Sequence, residues 1–182
     1  MQVLILSYGE KTHPWLKAHV TKTMRAEETI SADSIIGCSS VFFDLKEGHF
    51  TEQFKTIKDK VVKIIGKSKP SKIFTHNNED PHPDHRACYN IVMNLLQSIK
   101  TKDYRPDVYL FSVWNPFSFH KGHLPKMYVD ITKVHHKKVA ALKHFKSQWG
   151  ALALLVGSIF AREVKNGLHM GTRFAESFYK IQ

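Results

Sequence analysis

The amino-acid sequence predicts an α/β fold in which helices cover both faces of a mainly parallel sheet. Short apolar runs with the length of buried strands recur along the chain, at residues 3–7, 40–43, 71–75 and 107–114, with a fifth candidate at 127–131. Helical patterns alternate with these runs, at residues 22–36, 49–66, 87–99 and 134–148. Strands that alternate with such helices form βαβ units, and the helices suffice to cover the sheet.

The first strand and the first helix both end in a turn signal. Residues 3–7 run into Tyr8-Gly9-Glu10, and the helix at 22–36 stops before Gly37, where glycine suits a left-handed helix cap. Helical spacing within this helix is carried by Met24, Thr29, Ala32, Ile35 and Ile36. The second strand, at 40–43, is closed by the polar turn at 44–48. These signals bound a first strand–helix–strand unit.

The next two helices each present one apolar face. For residues 49–66 that face consists of Phe50, Phe54, Ile57, Val61, Ile64 and Ile65, with lysines opposite. For residues 87–99 it consists of Ile91, Val92, Leu95 and Leu96. A strand at 71–75 lies between the two helices and completes a second βαβ unit. The apolar run at 151–161 is too short to cross a bilayer, so we expect no transmembrane segment.

Length and cysteine content indicate one intracellular domain. The 182 residues suffice for a single core, and we treat residues 1–182 as one domain. The first residues contain no recognisable secretory leader. Cys38 and Cys88 form neither a disulfide framework nor a zinc-finger spacing. A reducing cytoplasm is therefore the expected compartment.

The net charge of +11, from 27 Lys+Arg against 16 Asp+Glu, indicates an anionic partner. The lysines are spread along the chain, and no nucleic-acid-binding motif accompanies them. We therefore expect a basic surface and no specific nucleic-acid recognition. An anionic sugar conjugate or lipid headgroup remains compatible with the charge.

The motif with the clearest chemistry is the segment 80–86, Asp-Pro-His-Pro-Asp-His-Arg. It places His82, Asp84 and His85 directly after a predicted strand and before a predicted helix. Open α/β sheets bind ligands at this carboxyl edge. Histidine and carboxylate are also the ligands of catalytic zinc. A solvated polar loop is the alternative interpretation, and the residue types at this junction favour a site.

Several further blocks occur with this motif in a characteristic order, namely Leu6-Ser7-Tyr8-Gly9-Glu10, Arg25-x-x-Glu28 with Ile35-Ile36-Gly37, residues 43–48, Tyr128-Val129-Asp130-Ile131, residues 138–148 and Ala175-Glu176-Ser177-Phe178. In these blocks the chain resembles the PIG-L/LmbE family of zinc-dependent N-deacetylases, which includes GlcNAc-PI de-N-acetylase. The resemblance implies a Rossmann-like three-layer α/β/α fold. It also implies a zinc cofactor and an N-acetylated sugar conjugate as substrate.

The resemblance assigns a role to each candidate residue. His85 is similar to the family's third zinc ligand, and His82 to the residue that stabilises the oxyanion or protonates the leaving amine. Asp84 corresponds to a carboxylate that orients a histidine. Arg25, Glu47 and His144 are candidate substrate contacts because each lies in one of these blocks. For Arg25, a solvated ion pair with Glu28 is an equally good interpretation. For His144, a structural hydrogen bond is an equally good interpretation.

One family element is absent from this sequence. The family's first strand ends in His-Pro-Asp-Asp-Glu, which supplies two zinc ligands and the general base. With His85 as the one remaining ligand, we expect weak zinc binding and little or no activity from this chain alone. The open sheet edge left by that strand would favour instability or self-association into a homo-oligomer.

Three functions follow as hypotheses. The first is an N-deacetylase acting on an N-acetylated sugar conjugate, with a hydratase acting on an unsaturated acid as a variant on the same scaffold. The second is a non-catalytic family member that binds an anionic glycan or a protein. The third, nucleic-acid binding, is supported by charge alone.

Overall fold

Strands and helices alternate in the computed structural model, which describes residues 1–10, 16–99, 101, 103–113 and 124–181. The strands are β1 (Gln2–Ile5), β2 (Ser39–Phe42), β3 (Lys72–His76), β4 (Asp107–Phe111), β5 (Lys126–Asp130) and β6 (Ala175–Lys180). The helices are α1 (Ala18–Ile36), α2 (Phe50–Gln53), α3 (Lys58–Ser68), α4 (Pro83–Ile99), α5 (His135–Leu142) and α6 (Trp149–Met170). The predicted α/β class is confirmed.

The chain forms two compact units. The first comprises Met1–Glu47 and Asp130–Ala175, and the second comprises Gly48–Val129 and Glu176–Gln182. In the first unit β1 and β2 pair in parallel, with Gln2 opposite Ser39 and Ile5 opposite Phe42. Helix α1 packs against β2 and α5 in the same unit. Its buried side chains include Thr21, Arg25 and Ala32.

The second unit is built on a mixed sheet with the strand order β3-β4-β6-β5. The last residue of β5, Asp130, and the first residue of β6, Ala175, are assigned to the first unit. β3 and β4 are parallel, with His76 opposite Phe111, so both strands end at the same edge. β6 pairs antiparallel with β4. The core centres on β4, where Val108 and Leu110 are 0% and 1% exposed. Helix α4 packs on β3 and places the segment 80–86 beside that strand's carboxyl end.

Two predicted helices differ from the structure. The helix predicted at 49–66 is interrupted by a tighter turn over Phe54–Thr56, where the Thr56 hydroxyl donates to the Gln53 carbonyl at 2.8 Å. A side chain that binds a backbone carbonyl in this way competes with the helical ladder. The helix predicted at 134–148 ends at Leu142 and is followed by a short turn over Lys146–Gln148.

Other boundaries also move. Helix α4 begins at Pro83 instead of residue 87, because proline is well tolerated in a first helical turn and Asp84 suits the positive end of the helix dipole. The strand predicted at 107–114 ends at Phe111, and Trp114 lies outside the described residues. Helix α6 and strand β6 were not predicted. Within the described part of the chain, no helix is both long and apolar enough to cross a membrane.

Candidate metal and acid–base site

The loop between β3 and α4 is shaped by Asn77, a buried polar residue. Its backbone N–H donates to the Phe111 carbonyl at 3.1 Å, which ties the loop to the end of β4. Its side-chain oxygen accepts the Glu79 N–H at 3.0 Å, and its carbonyl accepts the Asp80 N–H at 3.2 Å. Side-chain turns of this kind fix a loop locally. Asn77 therefore turns the chain immediately after the strand.

Asp80 makes the second turn of the loop. It is 2% exposed, and its Oδ1 accepts the His82 N–H at 2.9 Å. The Arg86 guanidinium reaches back from α4 and donates to the carbonyls of Asp80 and Pro81, both at 2.8 Å. These bonds hold the loop against the first turn of the helix.

Three histidine rings cluster around this loop. His76, at the end of β3, stacks on His85 of α4 with ring centroids 3.9 Å apart and planes 10° apart. The His82 ring lies 4.7 Å from that of His85. His85 Nδ1 is also 2.9 Å from Asp80 Oδ1. The strand end, the turn and the helix thus each contribute to one cluster in the second unit.

Two buried polar atoms of the cluster, His76 Nδ1 and Asp80 Oδ2, have no hydrogen-bond partner among the described residues, whereas His85 Nδ1 lies against Asp80 Oδ1. Burial, with a smaller contribution from the neighbouring His85, lowers the pKa of His76 from 6.5 to about 4. Burial also lowers the pKa of His85, against the opposing effect of Asp80. Both rings are therefore neutral at pH 7.

Neutral imidazole nitrogen and carboxylate oxygen are the donors that zinc prefers in catalytic sites. His76, Asp80 and His85 each offer one such atom, and these atoms all lie within 4.8 Å of one another. These are donor types that suit zinc. The sequence-based expectation counted one donor, whereas the structure places three together.

His82 is held in a defined tautomer beside this set. Its Nδ1 accepts the Asp84 backbone N–H at 3.2 Å, so the proton of the neutral ring is on Nε2. Asp84 is 8% exposed, and its Oδ1 accepts the Gly48 N–H at 2.9 Å. Asp80 thus contacts a histidine ring of this cluster, and Asp84, whose charge also acts on His85, anchors the start of α4 to the neighbouring turn.

The other candidates lie in the first unit. Arg25 is 6% exposed, which rules out the interpretation as a solvated helix arginine. Burial lowers its pKa, and the charges of Glu28 and Glu47 oppose that shift. His144 is exposed after the end of α5. The structure thus brings Arg25 and Glu47 within electrostatic range of each other.

Arg25 lines a mainly apolar cavity of about 410 Å³ within the first unit, between α1, α5 and the two strands. Nearby, Glu28 accepts two hydrogen bonds from Ser147, from its N–H at 2.7 Å and its hydroxyl at 2.6 Å. Both residues fall in blocks that carry the family resemblance. This pair links α1 to the turn that precedes α6.

Sequence reasoning missed His76 and Asp80 as members of the site. A signal was present, since His76-x₃-Asp80-x₄-His85 spaces three donors around a strand end, a turn and a helix start. The spacing alone does not show that they converge. Convergence depends on the turns made by Asn77 and Asp80.

The site is thus a buried His/Asp cluster at a strand-to-helix junction of an α/β protein, the class of site that metal-dependent hydrolases use. The family model for GlcNAc-PI de-N-acetylase, PIG-L, matches residues 1–96 of the chain. The chain therefore belongs to the PIG-L family.

Relatives of two activities are similar to it. A 4-oxalmesaconate hydratase of Pseudomonas putida is 26% identical over 163 residues, which cover 81% of this chain and 62% of that protein. The chain thus spans less than two thirds of the length of this curated relative.

Solved structures share the fold. The crystal structure of GalB, the 4-carboxy-2-hydroxymuconate hydratase of Pseudomonas putida KT2440, has a TM-score of 0.83 at 22% identity. The match covers 100% of this chain and 84% of the GalB chain. N,N'-diacetylchitobiose deacetylase from Pyrococcus horikoshii has a TM-score of 0.71 at 19% identity, and the match covers 99% of this chain and 71% of the deacetylase chain.

Proposed function

We propose that this chain is a zinc-dependent N-deacetylase that removes acetyl from an N-acetylated sugar conjugate. The observation that carries the proposal is the position of His82, whose ring lies 4.7 Å from that of His85, one member of a buried cluster of zinc-type donors. Family membership supports the same reaction class.

The proposed roles follow from the hydrogen bonds. When water adds to the acetyl carbonyl, the carbonyl oxygen gains negative charge, and His82 Nε2–H donates to it. The same group then gives its proton to the leaving amine. Asp84 supports this role in two ways, because its N–H holds His82 Nδ1 and its carboxylate binds Gly48. Removing one such oxyanion donor costs about 100-fold to 1,000-fold in turnover.

Zinc, when bound, supplies a polarised carbonyl and a water of lowered pKa. His85 is its ligand by resemblance, and His76 and Asp80 lie beside it. The resemblance assigns the general base to the His-Pro-Asp-Asp-Glu motif, and a positioned general base typically contributes about 100-fold to 10,000-fold to the rate.

The substrate class rests on charge and on three first-unit residues. Arg25, Glu47 and His144 are proposed to contact the sugar conjugate. The net charge of +11 favours an anionic conjugate. A reducing cytoplasm, which the two free cysteines suit, is part of the proposal. Self-association of the chain remains a prediction.

The test is acetate release from N-acetylglucosamine conjugates, with and without an anionic group, by the chain loaded with zinc. We expect release that chelation abolishes and that His82→Asn reduces by about 100-fold or more. His49→Asn is the matched control, because His49 is an exposed histidine 3.1 Å from a carboxylate, Glu52. Equal release by wild type and His82→Asn would contradict the assigned role.

A hydratase is the second candidate, favoured by the similarity of the chain to hydratase of Pseudomonas putida in both sequence and structure. In that reaction water adds to a carbon–carbon double bond of an unsaturated acid. Loss of ultraviolet absorbance from a conjugated unsaturated acid, without acetate release from sugar conjugates, would select it. Glycan binding without either reaction would select the non-catalytic alternative.

A further inference from the structure

Helix α6 exposes many of its large apolar side chains. Of its 22 residues, the two that are buried are Glu163 and Gly167. The exposed apolar side chains, from 39% for Met170 to 78% for Leu154, are those of Trp149, Leu154, Val156, Phe160, Leu168 and Met170. A surface helix normally turns such side chains toward a core. The helix therefore presents an apolar face that the described part of the chain leaves uncovered.

Residues outside this face attach α6 to the first unit. Glu163 is 4% exposed, and its carboxylate lies 3.0 Å from His135 Nε2 and accepts a hydrogen bond from Lys138 Nζ. His135 and Lys138 both belong to α5. The His135 ring also stacks on that of Phe174, with centroids 3.9 Å apart. Binding of another molecule to the exposed face therefore disturbs none of these contacts.

The exposed face contains a groove beside a ridge. Residues four apart form rows along a helix surface, and helices pack by fitting the ridges of one into the grooves of the other. One row consists of the exposed small residues Ala153, Gly157 and Ala161, and a Cβ added at Gly157 would meet nothing within 4 Å. The neighbouring row consists of larger apolar residues, namely Val156, Phe160, Val164 and Leu168. A helix that carries both features is complementary to a second copy of itself.

Area and charge also favour a second copy as the molecule that covers this face. Its large exposed side chains offer roughly 700 Å² per chain, near the about 800 Å² per partner of a standard specific interface. Residues 149–161 carry no charge, as is typical of the centre of a homodimer interface. An anionic membrane surface fits less well, because cations border the apolar face of an interfacial helix. Within α6, the Lys and Arg residues are Arg162 and Lys165, both in its C-terminal half.

We propose that this face joins two copies of the chain, with their α6 helices antiparallel about a twofold axis at Gly157. The axis places Ala153 opposite Ala161 of the partner subunit, so small residues meet along the whole groove. It also places Lys165 near Trp149 of the partner subunit, where a cation can lie over the ring. The two Lys165 residues are then about 24 Å apart along the helices, beyond the screening length of about 8 Å. A parallel pair would bring them side by side.

The proposed interface uses no sheet edge and no residue of the proposed reaction. Pairing of identical patches about a twofold axis gives a closed dimer, the commonest form of oligomer. The inference therefore holds whether or not the chain is a deacetylase. It also assigns self-association to one helix face instead of an open strand.

The first test is sedimentation velocity of the whole chain across about a hundredfold range of micromolar concentrations. We expect a monomer–dimer equilibrium. Leu154→Glu should weaken the dimer by about 100-fold or more, because each dimer loses two buried leucines and gains two buried charges. Ile30→Glu is the matched control, since Ile30 is 66% exposed on α1 and lies outside the face. That variant should dimerise like wild type. Circular dichroism verifies that each variant is folded.

Gly157→Leu distinguishes close helix packing from general apolar adhesion. The added side chain has space in the single chain, but it fills the groove into which the partner's ridge must fit. The dimer should therefore weaken by about 100-fold or more, although the variant exposes more apolar surface. Gly66→Leu on α3 is the control, because a Cβ there also meets nothing within 4 Å. Equal or tighter association of Gly157→Leu would contradict the paired-helix interface.

Cysteine crosslinking tests the orientation of the two helices. Ala153→Cys and Ala161→Cys chains are mixed, oxidised with copper phenanthroline and mapped by peptide mass. The antiparallel pair predicts a disulfide between residue 153 of one chain and residue 161 of the other, which the twofold axis brings into range. A crosslink between two Ala153→Cys chains through residue 153 would instead show a parallel pair and refute the arrangement.

Three further outcomes would overturn the interface. One is a wild-type chain that remains monomeric throughout the concentration range. Another is a dimer that Leu154→Glu leaves intact, because association would then use a different surface. The third is a monomer that cosediments with vesicles of phosphatidylglycerol and phosphatidylcholine and loses this binding in Leu154→Glu, which would assign the face to lipid.

Discussion

Gly167 occupies a position where even one added carbon does not fit. It lies buried in the last turn of α6, where the chain folds back after Gly171. A Cβ at residue 167 would lie 2.7 Å from the Arg173 oxygen, 2.8 Å from the Arg173 carbonyl carbon and 2.8 Å from the Thr172 oxygen. All three are backbone atoms, so no side chain can rotate away. Gly167→Ala must displace the turn.

The expected cost follows from three contributions. Overpacking of this kind costs about 1–3 kcal/mol. The displaced turn also weakens the bond from the Thr172 N–H to the Gly167 carbonyl, now 2.8 Å, for about 0.5–1.5 kcal/mol. The higher helix propensity of alanine offsets this loss of stability by about 1 kcal/mol. Gly167→Ala should therefore lower the free energy of unfolding by about 2 kcal/mol.

Gly157 provides the matched control in the same helix. A Cβ there meets nothing within 4 Å, so Gly157→Ala should raise the free energy of unfolding by about 1 kcal/mol. Urea unfolding followed by circular dichroism measures both variants against wild type. If Gly167→Ala proved as stable as Gly157→Ala, the packing described for the end of α6 would be wrong.

Three further outcomes are expected. In chelator, lowering the pH from 7 to 5 should reduce the free energy of unfolding by about 2 kcal/mol, because burial lowers the pKa of His76 to about 4 and the unfolded chain takes up the proton first. Stability therefore rises with pH across this window. In urea titrations, the free energy of unfolding of His76→Gln should depend less steeply on pH than that of wild type. Leu110→Ala, at a side chain 1% exposed, should cost about 2–5 kcal/mol in the same assay. Glu28→Gln weakens both bonds from Ser147 and should cost about 1–3 kcal/mol, with faster hydrogen exchange at the Ser147 amide.

The spacing of apolar residues in the sequence predicted those helices whose apolar side chains all lie on one face. Helix α4 shows this, because Ile91, Leu95 and Leu96 are buried as its spacing indicates. Helix α6 was missed for the opposite reason. Leu154 and Leu168 are 78% and 77% exposed, so its apolar residues form no one-sided stripe. Strand β6 depends on a long-range antiparallel pairing with β4 that no local signal reveals.

The site residues that belong to one sequence motif could be predicted. Those that reach the site only through the folding of the chain could not. His82, Asp84 and His85 are adjacent in the sequence, and they also lie together in the fold. His76 joins them because β3 extends one residue beyond the predicted strand. Asp80 joins them because its own turn directs one oxygen into the cluster.

Zinc titration against acetate release tests the central claim most directly. Zn²⁺ is added in steps to the chelator-stripped chain while acetate release from an N-acetylglucosamine conjugate is followed. The proposed function predicts that release rises with added zinc and reaches a plateau near about one zinc per chain, and that His82→Asn binds the metal without restoring release. Release independent of zinc, or none at full zinc occupancy while an unsaturated acid is hydrated, would contradict it.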